Sequence, residues 1–286
     1  MLHLLVADGN DRAGRETHLS VCDKTSAETY AGILRALAPD ALCHLVAPAD
    51  AGTVLPRALA DCDALVLTGS TLHVEEGGPA VTRQCDLVRT ALAAGLPVFG
   101  SCWGVQVAAT IAGGRAARNP RGPEYGLARA IHRTEAGAGH PLLDGRPPAW
   151  DAPAIHDDAV IDPPPGSRVL AGNDRLDVQA IEIRLGEGVF WGTQYHPELD
   201  LDEVAAMLRL SASGVVEAGL CPDEAALHAY ADAFRDLHHD PEGRPDLAWR
   251  LGVVAEVLEP ERRRREIGNF LDRLVRPRSS RARAPV

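Results

Sequence analysis

Up to residue 115 the chain alternates short apolar runs with longer segments whose apolar residues recur at helical spacing, and this alternation fixes the fold class. Leu2–Ala7 is an apolar run closed by Asp8-Gly9-Asn10, as a buried strand ending in a loop requires. Ser26–Ala38 has helical spacing, begins beside the capping residues Thr25 and Ser26, and stops at Pro39. Ala41–Val46 reads as a strand, Val54–Ala60 as a short helix, and Ala64–Leu67 as a strand that enters Thr68-Gly69-Ser70. Pro79 opens a helix reaching Ala94, Gly95 ends it, Pro97–Phe99 form a strand and Val105–Ala112 a further helix. Short strands between amphipathic helices predict a parallel sheet covered on both faces, an α/β fold.

From Gly126 the rhythm changes. Leu127–His132, Trp150–Ile155, Arg168–Ala171, Val178–Arg184 and Gly188–Tyr195 are β-like runs without helices between them, which predicts an antiparallel extension of the sheet. Leu201–Leu210 is helical, with Asp200 or Asp202 to cap it. Beyond Gly219, Asp223–Leu237, Leu247–Leu258 and Glu261–Leu274 again show helical spacing. The expected organisation is a main domain over residues 1–215, a helical C-terminal extension over 220–275, and a disordered basic tail over 276–286. The spacing of Leu247, Leu251, Val254 and Leu258 suits packing on the main domain, a homodimer, or both.

Composition excludes several functions. With 29 Lys and Arg against 40 Asp and Glu the net charge is -11, which repels a phosphate backbone, so nucleic acid is not expected as a partner. No apolar stretch approaches the length of a membrane span, and the first residues lack a basic export signal. The six cysteines are scattered without a C-x-x-C pair, as reduced thiols in the cytoplasm would be. No dinucleotide fingerprint, Walker-type loop or clustered zinc site is spelled out, so neither cofactor nor metal is expected.

The segment Pro97-Val98-Phe99-Gly100-Ser101-Cys102-Trp103-Gly104-Val105-Gln106 joins an apolar strand to a helix through a cysteine flanked at both sides by glycines. Such a turn strains the nucleophile's backbone, and the glycines let neighbouring segments approach. The helix start places the sulfur in a positive backbone potential that favours thiolate. Cys22, Cys43, Cys62, Cys85 and Cys221 have no such surroundings and read as small apolar residues. A cysteine nucleophile needs a partner to protonate the leaving group and activate water. Of eleven histidines, His196 stands out: it follows an apolar run and precedes Pro197 and Glu198, so a strand end delivers it to the sheet's carboxyl edge with an acid two residues on to fix its tautomer.

Gly-x-Cys-x-Gly followed by Tyr195-His196-Pro197-Glu198 resembles the class I glutamine amidotransferase family over Leu2–Leu210, as a GMP-synthase-like amidotransferase domain standing alone. The resemblance implies a flavodoxin-like fold and a Cys-His-Glu triad of Cys102, His196 and Glu198. It implies an oxyanion hole from the loop at Gly69 or Ser70 and from Trp103 N–H, with Gln106 contacting glutamine. The sequence departs from the family in two places. The usual Gly-Gly-Pro after the strand is replaced by Thr68-Gly69-Ser70, with Gly77-Gly78-Pro79 only later, and Trp103 is bulkier than the usual residue, which implies an altered substrate mouth. His156-Asp157-Asp158 and the Arg118–Gly126 loop containing Glu124 also resemble family segments, but neither is assigned a catalytic role.

The implied function is release of ammonia from a γ-carboxamide through a γ-glutamyl thioester. The substrate is glutamine or a γ-glutamyl amide, and the ammonia goes to a separate synthase subunit, because the residues after Gly219 are too few for an ATP-dependent synthase. The alternatives are a free-standing γ-glutamyl amide hydrolase of nitrogen catabolism and a non-catalytic regulatory or binding protein on the same fold.

Overall fold

The computed structural model describes residues 1–282. Its strands are β1 (Leu2–Ala7), β2 (Ala41–Val46), β3 (Ala64–Leu67), β4 (Pro97–Ser101), β5 (Arg115–Arg118), β6 (Glu124–Arg133), β7 (Ala149–His156), β8 (Asp158–Asp162), β9 (Arg168–Gly172), β10 (Ala180–Leu185) and β11 (Gly188–Thr193). Nine of them form one sheet in the order β2-β1-β3-β4-β11-β10-β9-β6-β7. The half from β2 to β11 is parallel, and β10, β9, β6 and β7 continue it antiparallel. β5 and β8 make a separate antiparallel pair.

Helices α1 (Arg12–Cys22), α2 (Ser26–Leu37) and α3 (Pro79–Ala93) connect parallel strands, and α4 (Trp103–Ile111) leads from β4 to β5. Successive residues of β1 point to opposite faces, and both faces are covered. Leu4 and Val6 join a core with Tyr30, Leu34, Phe99 and Phe270, while Leu5 and Ala7 join another with Val88, Val98 and Trp103. Each such Leu or Val, removed wholly from water, contributes about 1.5–3 kcal/mol. This is the mostly parallel α/β sheet, extended antiparallel, that the patterning predicts.

The rest of the chain is helical: α5 (Leu201–Leu210), α6 (Ala212–Glu217), α7 (Glu224–His239), α8 (Pro245–Leu251), α9 (Ala255–Leu258), α10 (Pro260–Arg263), α11 (Arg265–Asn269), a π-helical turn at Phe270–Val275, and α12 (Arg276–Ala282). Leu227, Phe234, Leu247 and Leu251 pack with Leu201, Val204 and Leu208 of α5 in a third core. Ile267, Phe270, Leu271 and Val275 enter the sheet's own core. Leu247 and Leu251, candidates for a dimer face, are therefore buried within the chain. Among the described residues no helix is long and apolar enough to cross a membrane.

Several local expectations are corrected. Val54–Ala60 is not a helix; only a 3-10 turn at Leu59–Asp61 forms, because Pro56 interrupts the stretch. α1 has no counterpart in the apolar pattern: only Gly14 and His18 of its residues are buried, so it has no stripe to read. Leu247–Leu258 is broken at Gly252, which takes the left-handed conformation that ends α8. Arg276–Ala282 is helical rather than disordered, with Arg276 paired to Asp40 and Ser279 bonded to Asp63. Residues 283–286 of the expected tail lie outside the described residues.

One buried charge cluster ties the C-terminal helices to the sheet. Arg146 Nε and Nη2 each donate to Glu266 at 2.6 Å, Arg146 Nη1 donates to Glu256 at 3.0 Å, and Tyr195 donates its hydroxyl to Glu266 at 2.8 Å. Arg146 and Glu266 are 4% and 0% exposed, so removing one partner strands a charge in the interior. Glu266→Ala is expected to destabilise the fold by about 3–5 kcal/mol in urea unfolding, with the Arg146→Met, Glu266→Leu double variant recovering part of that loss; a double variant no better than the single would contradict it.

Candidate active site

β4 lies between β3 and β11, and its last residue, Ser101, pairs with Thr193 at the carboxyl edge of the sheet. The chain there turns directly into α4 at Cys102, whose backbone has φ 48° and ψ -99°. Positive φ in a residue with a side chain is strained by about 1–3 kcal/mol and persists only where the surroundings enforce it. Two glycines permit the turn. A Cβ on Gly100 would lie 2.8 Å from Gly104 Cα, and one on Gly104 would lie 2.9 Å from the Leu67 carbonyl oxygen. Cys102 N–H donates to Thr193 O at 2.8 Å, which ties the turn to β11.

β11 ends just before Gln194-Tyr195-His196, and His196 N–H donates to Pro153 O at 2.8 Å. The imidazole is hydrogen-bonded to Glu198, with Nδ1 at 2.7 Å from Oε1, and Cys102 is close enough to act on its charge. A carboxylate accepts, so Nδ1 carries the proton and Nε2 is left to exchange one with the sulfur. Burial opposes charge on the ring, but the Glu198 carboxylate and the neighbouring Cys102 outweigh it and hold the His196 pKa up at about 10. Cys102, 94 residues before His196 in the chain, is thus brought beside the hydrogen-bonded His196–Glu198 pair.

Two residues not singled out from the sequence complete this row. Ser101 Oγ donates to Glu198 Oε1 at 2.9 Å, and the Tyr30 hydroxyl lies 3.0 Å from Oε2 and 2.7 Å from Ser101 Oγ. Burial, followed by the charge of Glu198, pushes the Tyr30 phenol well above its ordinary pKa, so it stays a neutral donor. A polar residue ending an otherwise apolar strand was the one available signal for Ser101. Tyr30 sits on the apolar face of α2 and reads as core.

Gly69 packs against the imidazole: a Cβ there would lie 2.9 Å from His196 Cε1. Gly69, Ser70 and Gln106 line the cavity beside Cys102, and Gln106 Nε2 donates to the Asp158 carbonyl at 3.0 Å. Trp103 opens α4, so its N–H stands in the first turn next to the sulfur. Its side chain does not shape the mouth as expected. It is fully buried in the core and donates from Nε1 to Gln84 at 2.8 Å, because Gly9 leaves room for the ring; a Cβ on Gly9 would sit 2.8 Å from Trp103 Cδ1. Gly77-Gly78-Pro79 serves to start α3, with Gly78 at φ 91° as its cap.

The cavity has a volume of about 230 Å³. Gln106, Tyr125, His156, Asp157 and Asp158 are among its lining residues, so the His156-Asp157-Asp158 segment borders the site. His156 Nε2 is 3.1 Å from Glu124, which also accepts from Asn173 at 2.7 Å and Gln179 at 2.6 Å. Burial alone would raise the Glu124 pKa, but these bonds hold it below the usual carboxylate range. His73 also lines the cavity: its Nδ1 is 2.6 Å from Asp158, and that bond raises its pKa. Thr17 and His18 of α1, Leu199, and Met207 and Leu210 of α5 also line the cavity.

Similarity to known proteins agrees with this architecture. The model of the class I glutamine amidotransferase family matches residues 35–212. A gamma-glutamyl-L-1-hydroxyisopropylamide hydrolase from a Pseudomonas species is 32% identical over 98% of this chain and 95% of its own length. A GMP synthase from Aeropyrum pernix is 31% identical, but over 66% of this chain and only 32% of that protein. Among solved structures, a glutamine amidotransferase from Thermotoga maritima superposes with a TM-score of 0.65 at 17% identity, covering 96% of this chain and 99% of that one, which shows the shared fold. The matched residues run from α2 through α5 and take in both the cysteine turn and the His-Pro-Glu segment, and on this ground the chain belongs to the class I glutamine amidotransferase family.

Proposed function

We propose that the protein is a free-standing γ-glutamyl amide hydrolase, in which Cys102, His196 and Glu198 cleave a γ-carboxamide and water accepts the γ-glutamyl group. The observation that carries this reading is the extent of similarity to the γ-glutamyl amide hydrolase. It spans nearly the whole of both chains, C-terminal helices included, whereas the GMP synthase from Aeropyrum pernix matches over a third of its length.

In this reading Cys102 attacks the γ-carbonyl carbon as a thiolate, its proton already resting on the charged His196 imidazole. Backbone N–H groups of Gly69 or Ser70 and of Trp103 donate to the developing oxyanion, each contributing about two to three orders of magnitude in rate. The charged imidazole then protonates the leaving nitrogen, and a γ-glutamyl thioester remains. His196 next takes a proton from water, the hydroxide displaces the sulfur, and glutamate leaves. Glu198 steadies the imidazolium in both steps and is itself held by Ser101 and Tyr30. Gln106, Asp157 and Asp158 line the same cavity and supply polar groups for the amino-acid end of the γ-glutamyl moiety. Six free cysteines support a reducing compartment such as the cytoplasm.

A second reading, an amidotransferase that passes ammonia to a separate synthase protein, is favoured by the 30% identity to a glutamine-hydrolyzing GMP synthase subunit from Sulfurisphaera tokodaii, over 49% of this chain and 70% of that one. The two readings differ in acceptor. Turnover of γ-glutamyl amides by the isolated protein, at rates unaffected by any synthase, supports the hydrolase; glutamine turnover that appears only with a synthase present supports the ammonia donor.

Two outcomes are expected of the proposed triad. Cys102→Ala should lower glutamate release from a γ-glutamyl amide by about three orders of magnitude or more, with an unchanged melting temperature; retained turnover would remove the mechanism. The imidazole is charged below a pKa of about 10, so leaving-group protonation persists to that pH and is lost as pH rises through it. Glu198→Gln removes the carboxylate that raises this pKa, and the alkaline limb of the pH–rate profile should move down by about one unit or more. An alkaline limb at the same pH in both proteins would show that the carboxylate does not set the charge of the ring.

A further inference from the structure

Thr68 and Gln84 are polar side chains 0% exposed; neither lines the cavity and neither has a part in the steps above. Both belong to one chain of hydrogen bonds. The Trp103 indole can only donate, so Gln84 presents Oε1 to it at 2.8 Å, and this leaves Gln84 Nε2 to donate to Gly9 O at 2.9 Å. Gly9 N–H donates to Thr68 Oγ1 at 2.9 Å, and the hydroxyl proton is then free to go to Gly69 O, also at 2.9 Å. The chain of bonds therefore runs from the residue after the nucleophile to the loop beside the imidazole. Gly9 joins its two halves and touches both ends: a Cβ there would lie 2.6 Å from Gly69 O and 2.8 Å from Trp103 Cδ1.

These bonds fix the direction of a backbone N–H. In a planar trans peptide the C=O and the N–H point opposite ways. Gly69 O and Ser70 N–H share one peptide. With the oxygen held by Thr68 against Gly9, the N–H is turned away from Gly9, and Ser70 lines the cavity with Cys102. Cys102 O and Trp103 N–H share another. That oxygen accepts from Val105 and Gln106 N–H at 3.1 and 3.2 Å along α4, so Trp103 N–H points back out of the helix start. The next two N–H groups of the loop are occupied, Thr71 by Asn10 Oδ1 and Leu72 by Ser70 Oγ, each at 3.0 Å, whereas Ser70 N–H and Trp103 N–H bond to no described residue. Gly69 has no side chain to hold its peptide, so without the Thr68 hydroxyl the Gly69–Ser70 plane is free to swing.

We propose that Thr68 is the positioning residue of the oxyanion hole. Its hydroxyl locks the Gly69–Ser70 peptide so that Ser70 N–H, together with Trp103 N–H, faces the oxygen that becomes negative, and Gly9 and Gln84 couple that lock to the Trp103 indole. The lock rests on the hydrolase reading above. Acylation and deacylation both pass through an oxyanion, which needs the donors more than the ground-state carbonyl does, so a displaced donor slows turnover without weakening substrate binding.

The test sets hydrolysis of a γ-glutamyl amide against alkylation of Cys102 by iodoacetamide, followed by mass spectrometry of the Cys102 peptide. In alkylation the thiolate displaces iodide at a saturated carbon and no oxyanion forms, so its rate reads only the thiolate and access to it. Thr68→Val keeps the shape without the hydroxyl and should lower kcat by about tenfold to a hundredfold, with KM and the alkylation rate within about twofold of wild type. Thr68→Ser restores the hydroxyl and should return kcat to within about threefold of wild type. Gln84→Met cuts the chain at its other end and should lower kcat by about tenfold with the alkylation rate again held, which keeps the test open if Thr68→Val fails to fold. In the double variant the loss should fall short of the product of the two single losses. Wild-type kcat in Thr68→Val or Gln84→Met, a Thr68→Ser as slow as Thr68→Val, an alkylation rate that falls in step with kcat, or a double variant whose losses multiply in full would overturn the lock and leave the hydrolase reading standing. A wild type that hydrolyses no γ-glutamyl amide would remove that reading and the oxyanion hole with it.

Discussion

Glu198 is a carboxylate 4% exposed, and such a group is stable in the interior only if its oxygens are fully engaged. Here they are met by three donors from three parts of the chain: the His196 ring two residues before, Ser101 at the end of β4, and Tyr30 from α2. The arrangement joins the two strand ends at the centre of the sheet with the first long helix on one face. It also raises the affinity of His196 for its proton, because the negative charge is held close and kept from water. The strained turn at Cys102 is positioned by the same contacts, since Ser101 is its immediate neighbour and Cys102 N–H is bonded to β11.

The C-terminal helices act on this arrangement from behind. Tyr195 precedes His196, and its hydroxyl is bonded to Glu266, which is clamped by Arg146. Burial and the charge of Glu266 raise the Tyr195 pKa well above its ordinary value, so this contact is a neutral donor to a carboxylate. Phe270 packs on Phe99 of β4, with ring centroids 5.4 Å apart, and Leu271 joins the same sheet core. The helical extension is therefore packed into the structure that presents the histidine, in keeping with similarity to the Pseudomonas hydrolase that runs through both regions.

What was legible in the sequence follows from the range of the interactions involved. The α/β alternation and the antiparallel continuation were readable because burial on two faces leaves continuous apolar runs, and the cysteine turn was readable because close backbone approach leaves glycines at Gly100 and Gly104. His196 and Glu198 were marked by their place at the end of the run that became β11. Tyr30 and Ser101 were not, since they act on Glu198 from 168 and 97 residues away and local pattern carries no trace of such a contact. α1 escaped because a helix laid over a polar cavity has almost no apolar stripe. The direction of the Trp103 side chain is illegible for a related reason: it depends on the room left by Gly9, which the sequence around Trp103 does not reveal.

The central claim is that, of six free thiols, only Cys102 attacks a γ-glutamyl amide. The most direct measurement is acid quenching during turnover of a γ-glutamyl amide, followed by peptide mass spectrometry of the acylated protein. The account predicts a γ-glutamyl adduct on the Cys102 peptide and on no other cysteine. An adduct on Cys22, Cys43, Cys62, Cys85 or Cys221, or turnover without any adduct when deacylation is slowed, would contradict it.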